Sequence, residues 1–267
     1  MNMILVYIFT YWQEFWKERI MKQNLIGYWN SGAARYNRGI EPFLRSEKGT
    51  KGWKSLFSDY LGTNPLKLLD VGTGPGSISV LLAGMGHEVT AVDLSDEMLI
   101  LAKKNADACG VMVDLRKGDA ENLPFDDNTF DAVVNRWVLW TVTDPKAALG
   151  EWNRVLKPGG RLCIVDGNWY NGKKTPLQKI WKQGSRLYTS IAERRNAWKG
   201  IDPEVVGELW STHATRPADD ISLFQEAGLT DVHVFMGVNE RVMTTGGYLL
   251  GGHWGPTFLV TGKKPSS

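Results

Sequence analysis

The sequence predicts an α/β fold with a doubly wound, mostly parallel sheet and helices on both faces, on three observations. Short apolar runs alternate with helix-period segments from about residue 64 to residue 166. Four of these runs end at polar residues: Asp70, Asp93, Asn135 and Asp166. The first is followed at once by Gly72-Thr73-Gly74-Pro75-Gly76, where glycine tolerates positive φ and lets a ligand approach the backbone. Ligands of such sheets bind beyond the carboxyl ends of the strands, where these polar residues fall.

The elements follow in chain order. Residues 3–12 are apolar, but ten residues are about half of the ~20 that span a bilayer. No Lys or Arg precedes this run and no small-residue cleavage site follows, which disfavours a secretory leader. From Glu14 onward charges appear, and three readings stay open for residues 1–20. They could form an amphipathic helix on the core, touch a membrane or partner, or be a gene-start artefact ahead of Met21. Residues 66–71 read as a buried strand and 77–83 as a helix, and a second strand over 87–92 ends at Asp93. Ser95 then caps a helix carrying Met98, Leu99 and Leu101. A strand over 131–134, a helix over 145–156 and a strand over 161–165 continue the alternation. A helix over 220–227 stops at Gly228, and strands over 231–235 and 257–261 complete the sheet.

Composition narrows the function classes. The 267 residues are 43% hydrophobic and 22% charged, an ordinary globular balance. With 31 basic and 29 acidic residues the net charge is +2, so no global field draws the chain onto nucleic acid or anionic lipid. Cys109 and Cys163 form neither a disulfide framework nor a zinc cluster; no metal site is expected, and a reducing compartment fits. No secretion or anchoring motif is secure, so the cytoplasm is the expected location.

The glycine loop departs from dinucleotide spacing, which would place Gly or Ala where Ser77 stands. Asp93, 21 positions past Gly72, supplies a carboxylate for ribose hydroxyls but does not discriminate between nucleotide folds. Two further motifs do: Gly118-Asp119-Ala120-Glu121-Asn122-Leu123-Pro124-Phe125, and Leu156-Lys157-Pro158-Gly159-Gly160. Over about residues 64–165 the sequence resembles the class I S-adenosylmethionine-dependent methyltransferases, in the methyltransferase type 11 branch of ubiquinone/menaquinone-biosynthesis enzymes.

That resemblance implies a Rossmann-like sheet whose last strand is antiparallel, and S-adenosylmethionine as cofactor. Asp70, Gly72, Thr73 and Gly74 would hold its methionine end. Asp93 would bind the ribose, Leu94 and Met98 would pack on the adenine, and Asp119 and Ala120 would take the adenine edge. Asn135 would lie near the sulfonium. It divides the chain into an N-terminal extension (1–24), lid helices (25–63), the cofactor-binding core (64–166), a helical insertion covering the acceptor (167–216) and the C-terminal part of the sheet (217–267).

A sulfonium is an activated methyl donor, so catalysis needs positioning and exclusion of water more than a triad. A weakly acidic acceptor would add a base; Tyr28, His213 and His253 are the candidates, whereas His87 and His233 read as structural. Tyr28 and Tyr36 are lid candidates, and Trp137 joins a set of tryptophans suited to a partly apolar acceptor. Residues 173–200 hold eight basic residues and one acidic one, a local +7. On a helical wheel Leu177, Ile180, Trp181, Leu187, Tyr188 and Ile191 form an apolar stripe, with Lys179, Lys182 and Arg186 opposite. Arg195 falls in the stripe, where it would anchor an anionic acceptor or form an internal ion pair. His213 shares helical phase with Leu209 and Trp210 and is expected to face inward. A glycine-rich hairpin over 246–254 would close one side of the pocket.

A small-molecule acceptor is the favoured reading. DNA is not expected, because Asn135-Arg136-Trp137-Val138 replaces the Asn-Pro-Pro-Tyr of amino-methylating enzymes, and RNA is disfavoured. RNA or protein methylation and a non-catalytic cofactor-binding protein are the alternatives. Oligomeric state is not legible.

Overall fold

The structure is a computed structural model that describes residues 2–168, 175–192, 201–243 and 257–266. The chain opens with α1 (Asn2–Leu44) and α2 (Glu47–Leu61), then β1 (Lys67–Val71), α3 (Ser77–Ala83), β2 (Glu88–Asp93), α4 (Asp96–Cys109) and β3 (Asp114–Lys117). Next come β4 (Phe130–Arg136), a 3-10 turn (Leu139–Thr141), α5 (Pro145–Val155) and β5 (Leu156–Gly167). The chain continues with α6 (Pro176–Ala192), α7 (Pro203–Glu208), α8 (Trp210–His213), α9 (Ala218–Glu226), β6 (Thr230–Phe235), α10 (Val238–Val242) and β7 (Thr257–Lys263).

The seven strands lie in the order β3-β2-β1-β4-β5-β7-β6, parallel except that β7 runs antiparallel to both β5 and β6. Alternation along each strand loads two cores, one per face. Leu69, Val71 and Val133 pack with Leu149, Trp152 and Phe224 on one side. Leu68, Ala132 and Val134 pack with Leu56, Phe57 and Leu82 on the other. Burying both faces is what the near-continuous apolar runs of β1, β4 and β5 require. The connection from β1 through β4 reverses direction in the strand order, and the crevice at that switch point lies beside the glycine loop.

Three features differ from expectation. Helix α1 continues without a break through residues 24 and 25, where the sequence suggested a division. It docks on the core by polar contacts: Asn105 of α4 donates to Asn37 Oδ1 at 2.6 Å, and Ser95 Oγ donates to Asn30 Oδ1 at 2.5 Å. Strand β3 was not anticipated; its Asp-Leu-Arg-Lys sequence carries no apolar run and holds by edge pairing with β2. Helix α6 is turned inside out relative to its wheel. Leu177, Ile180, Leu187 and Ile191 are exposed, while Ser185 and Thr189 are the buried positions. Among the described residues, no helix is long and apolar enough to cross a membrane.

Candidate cofactor and acceptor site

A cavity of about 370 Å³ opens at the carboxyl ends of β1, β2 and β4. Its floor is the glycine loop. Gly72, Gly74 and Gly76 all have positive φ, at 64°, 55° and 82°. A side chain at Gly72 would drive a Cβ to 2.5 Å from Val138, whereas the Cβ direction of Gly74 is open space, which leaves bare backbone facing the cavity.

Two aspartates shape that loop from opposite sides. Asp70 is buried, and its Oδ2 accepts from the Thr73 hydroxyl at 2.7 Å and the Ser79 amide at 3.0 Å. It therefore ties the turn to the start of α3. Burial pushes its carboxyl up to about 7, against the pull of those two donors. Asp93 accepts from the Gly74 amide at 2.8 Å and from the Ser95 amide at 2.9 Å. Burial raises its carboxyl too, with the backbone donors pulling it back. Ser95 caps α4, its Oγ accepting from the Met98 amide, and this places Leu94 and Met98 on the cavity wall.

The next wall is Gly118–Glu121. The indole N–H of Trp152 donates to the Ala120 carbonyl at 2.9 Å and fixes that loop on α5. Lys22 of α1 reaches across to Asp119 at 3.0 Å and Glu121 at 2.6 Å. Burial lowers the Lys22 ammonium, but the two carboxylates outweigh it and hold it above the ordinary lysine range. Glu121 also accepts from the Thr143 amide at 2.6 Å, so the far rim of the cavity joins the same network.

Opposite lies Arg136-Trp137-Val138, followed by the 3-10 turn. Trp137 sits at φ 63°, a left-handed conformation that is costly for a bulky residue, by about 1–2 kcal/mol. The turn is pinned from behind. Asp166 accepts from the Trp140 amide at 2.9 Å and from Arg216 at 3.1 Å, and Arg216 also bonds Asp220. Trp210 donates to the Leu139 carbonyl and Ser211 to the Trp140 carbonyl, both at 2.7 Å.

Of the residues expected to hold cofactor, Asp70, Gly72, Thr73, Gly74, Asp93, Leu94, Met98, Asp119 and Ala120 all line this cavity. Asn135 does not. It is fully buried because alternation along β4 turns it to the sheet face it shares with Val133, opposite to that of Arg136, and neither side-chain amide atom finds a hydrogen-bond partner among the described residues. Tyr36 and Trp137 line the cavity, but Tyr28 does not. Helical phase explains the exchange: Lys22, Leu25, Ile26, Trp29 and Tyr36 share one face of α1, and Tyr28 lies one residue out of register. His213 is exposed and bonds the Gly207 carbonyl, because α8 ends there and directs Trp210 inward instead. Arg195, His253 and the 246–254 segment lie outside the described residues. No described residue of 167–216 lines the cavity, although Val205 and Leu209 pack behind it against Leu25 and Trp140. Sequence reasoning missed Lys22, Trp29, Glu121 and Arg136 as cavity residues.

The residues present would suit an adenosyl sulfonium: an open glycine backbone, the Asp93 carboxylate at the end of β2, Asp119 on the neighbouring wall, and the apolar Leu94 and Met98. Comparison with known proteins agrees. Residues 69–164 match the methyltransferase domain family. The chain is 42% identical over 120 residues to the ubiquinone/menaquinone biosynthesis C-methyltransferase of Roseobacter denitrificans, covering 43% of this chain and 48% of that protein. To the demethylmenaquinone methyltransferase of Desulfitobacterium hafniense it is 33% identical over 178 residues, 60% of this chain and 70% of that protein. A methyltransferase structure from Aquifex aeolicus shares the fold at TM-score 0.53 and 22% identity, covering 79% of this chain and 88% of that one. The chain belongs to the S-adenosylmethionine-dependent methyltransferases. Within that family it is similar to the quinone-biosynthesis enzymes, spanning about half the length of the first relatives it matches.

Proposed function

We propose that the protein transfers a methyl group from S-adenosylmethionine to a small, partly apolar acceptor bound in this cavity. The observation that carries the reading is the continuity of two environments in one space. The glycine loop, Asp93 and Asp119 form a polar nucleoside end, and Trp29, Trp137, Val138 and Trp140 form an aromatic and aliphatic end beside it. The cofactor supplies an already activated methyl, so the chain's task is geometric. Asp93, held in place by the Gly74 amide, orients the ribose side, Leu94 and Met98 pack on the base, and the tryptophans exclude water from the acceptor end. The relatives' names specify C-methylation in quinone biosynthesis, which favours a ring carbon on an apolar acceptor.

Incubation with deuteromethyl-labelled cofactor and fractionated lysate, with mass identification of the labelled product, tests this. A labelled small molecule is the expected result. Cofactor binding by calorimetry with no labelled product in any fraction would favour a non-catalytic binding protein, and label appearing only in RNA or protein fractions would move the acceptor class.

A further inference from the structure

The cavity holds two cations in quite different states. Lys22 is committed to Asp119 and Glu121. Arg136, at the end of β4, has no carboxylate within ion-pair distance among the described residues. Its guanidinium stacks 4.1 Å from the Trp137 ring centroid and 5.6 Å from that of Trp53. One nitrogen, Nη2, donates to Tyr36 Oη at 3.1 Å and to Ser77 Oγ at 2.9 Å. Nε is buried without a hydrogen-bond partner. Nη1, by contrast, is neither buried nor hydrogen-bonded among the described residues, and it is the donor within a ligand's reach. Two neutral hydroxyls and two aromatic faces orient this cation, and the buried Asp70 carboxyl acts on it through space without pairing with it.

Position sharpens the point. Asp93 and Asp119 make the β2 and β3 side of the cavity acidic, and Arg136 stands on β4, two strands or roughly 10 Å away. The cavity is therefore polarised along the strand order, and a ligand that fits it carries a hydroxyl-rich, donor-bearing end and an anionic end. We infer that Arg136 is the carboxylate anchor of the cavity, binding an anionic group through Nη1 of its guanidinium. Two molecules could present that group: the cofactor, through its amino-acid end, and the acceptor. The inference rests on the proposed function for the presence of an adenosyl ligand.

Calorimetry on the full chain separates the sources. S-adenosylhomocysteine carries the amino-acid carboxylate, and 5′-methylthioadenosine is the nucleoside thioether with a methyl in place of the whole amino-acid chain. If the cofactor supplies the carboxylate, Arg136→Met weakens S-adenosylhomocysteine by about 10- to 100-fold and leaves 5′-methylthioadenosine within about twofold, with Arg136→Lys intermediate. If the acceptor supplies it, both nucleosides bind the variant as they bind wild type, and KM for the labelled-product reaction rises about 10-fold or more at unchanged cofactor KM. Equal weakening of both nucleosides, or no change in any of these quantities, overturns the anchor. Failure of wild type to bind either nucleoside would instead sink the cofactor site itself, and thermal melting of the variants distinguishes misfolding from lost contact.

Discussion

The backbone amide of Gly74 donates to Asp93 Oδ2 at 2.8 Å, so one carboxylate oxygen on β2 fixes the loop that ends β1. The aspartate is thus a building element of the cavity floor as well as a polar group facing the ligand. Asp93→Ala removes both roles. It should weaken S-adenosylhomocysteine binding by about 10- to 100-fold, the loss of one charged hydrogen bond of about 1.5–3 kcal/mol. Calorimetry reads it directly, and an unchanged dissociation constant would remove Asp93 from the site.

Gly72 combines a positive φ of 64° with a Cβ direction that ends 2.5 Å from Val138. Gly72→Ala should cost about 2–4 kcal/mol, the dihedral contributing about 1–2 and the clash the rest. Gly72→Ala combined with Val138→Ala should recover the clash part and not the dihedral part. Denaturant midpoints of the four proteins in this cycle check it; strict additivity would show that the clash is relieved elsewhere.

Asp70 gives a pH signature. Its folded carboxyl stands at about 7, above its ordinary 3.8. The native state then holds the extra proton between roughly pH 4 and pH 7, so this group makes stability fall as pH rises through that window and level off above it. Asp70→Asn deletes the titration, and the melting temperature should change less with pH across the same window than in wild type. Asp93 and Asp166, also raised by burial, remain in the variant, so the difference between the two curves reports Asp70 together with its coupling to Asp93. Parallel curves would contradict the assignment.

Lys22 links the first helix to the Gly118–Glu121 wall of the cavity. Its removal in Lys22→Met leaves Glu121, whose side chain is 6% exposed, with hydroxyl and amide donors but no cation. Stability should drop by about 1–3 kcal/mol, read as a lower urea midpoint at an unchanged slope. Lys22→Arg should recover most of the loss. A variant as stable as wild type would mean that the pair contributes nothing net.

The glycine loop, Asp93, Asp119 and the strand alternation were legible because each signal is local: apolar period, absent Cβ, a carboxylate at a strand end. The missed residues depend on distant contacts. Lys22 meets Asp119 across 97 positions and Arg136 meets Tyr36 across 100, separations at which spacing carries no information. That this part of α1 meets the cavity was visible but its phase was not, so Tyr28 stood where Trp29 belongs. Asn135 shows the same limit one residue along a strand: a shift of one position takes a side chain from the cavity side to the opposite, packed face of the sheet. In α6 the two faces were legible, but which of them turns inward depends on the partner surface, and the polar one does.

Asp220 touches no ligand-facing atom, yet through Arg216 and Asp166 it reaches the Trp140 amide. The hydrophobic end of the binding space is consequently suspended from a helix more than seventy positions downstream. An amino-acid exchange at that remote anchor would be felt as a change in what the cavity admits, and a survey confined to the rim would never find its origin.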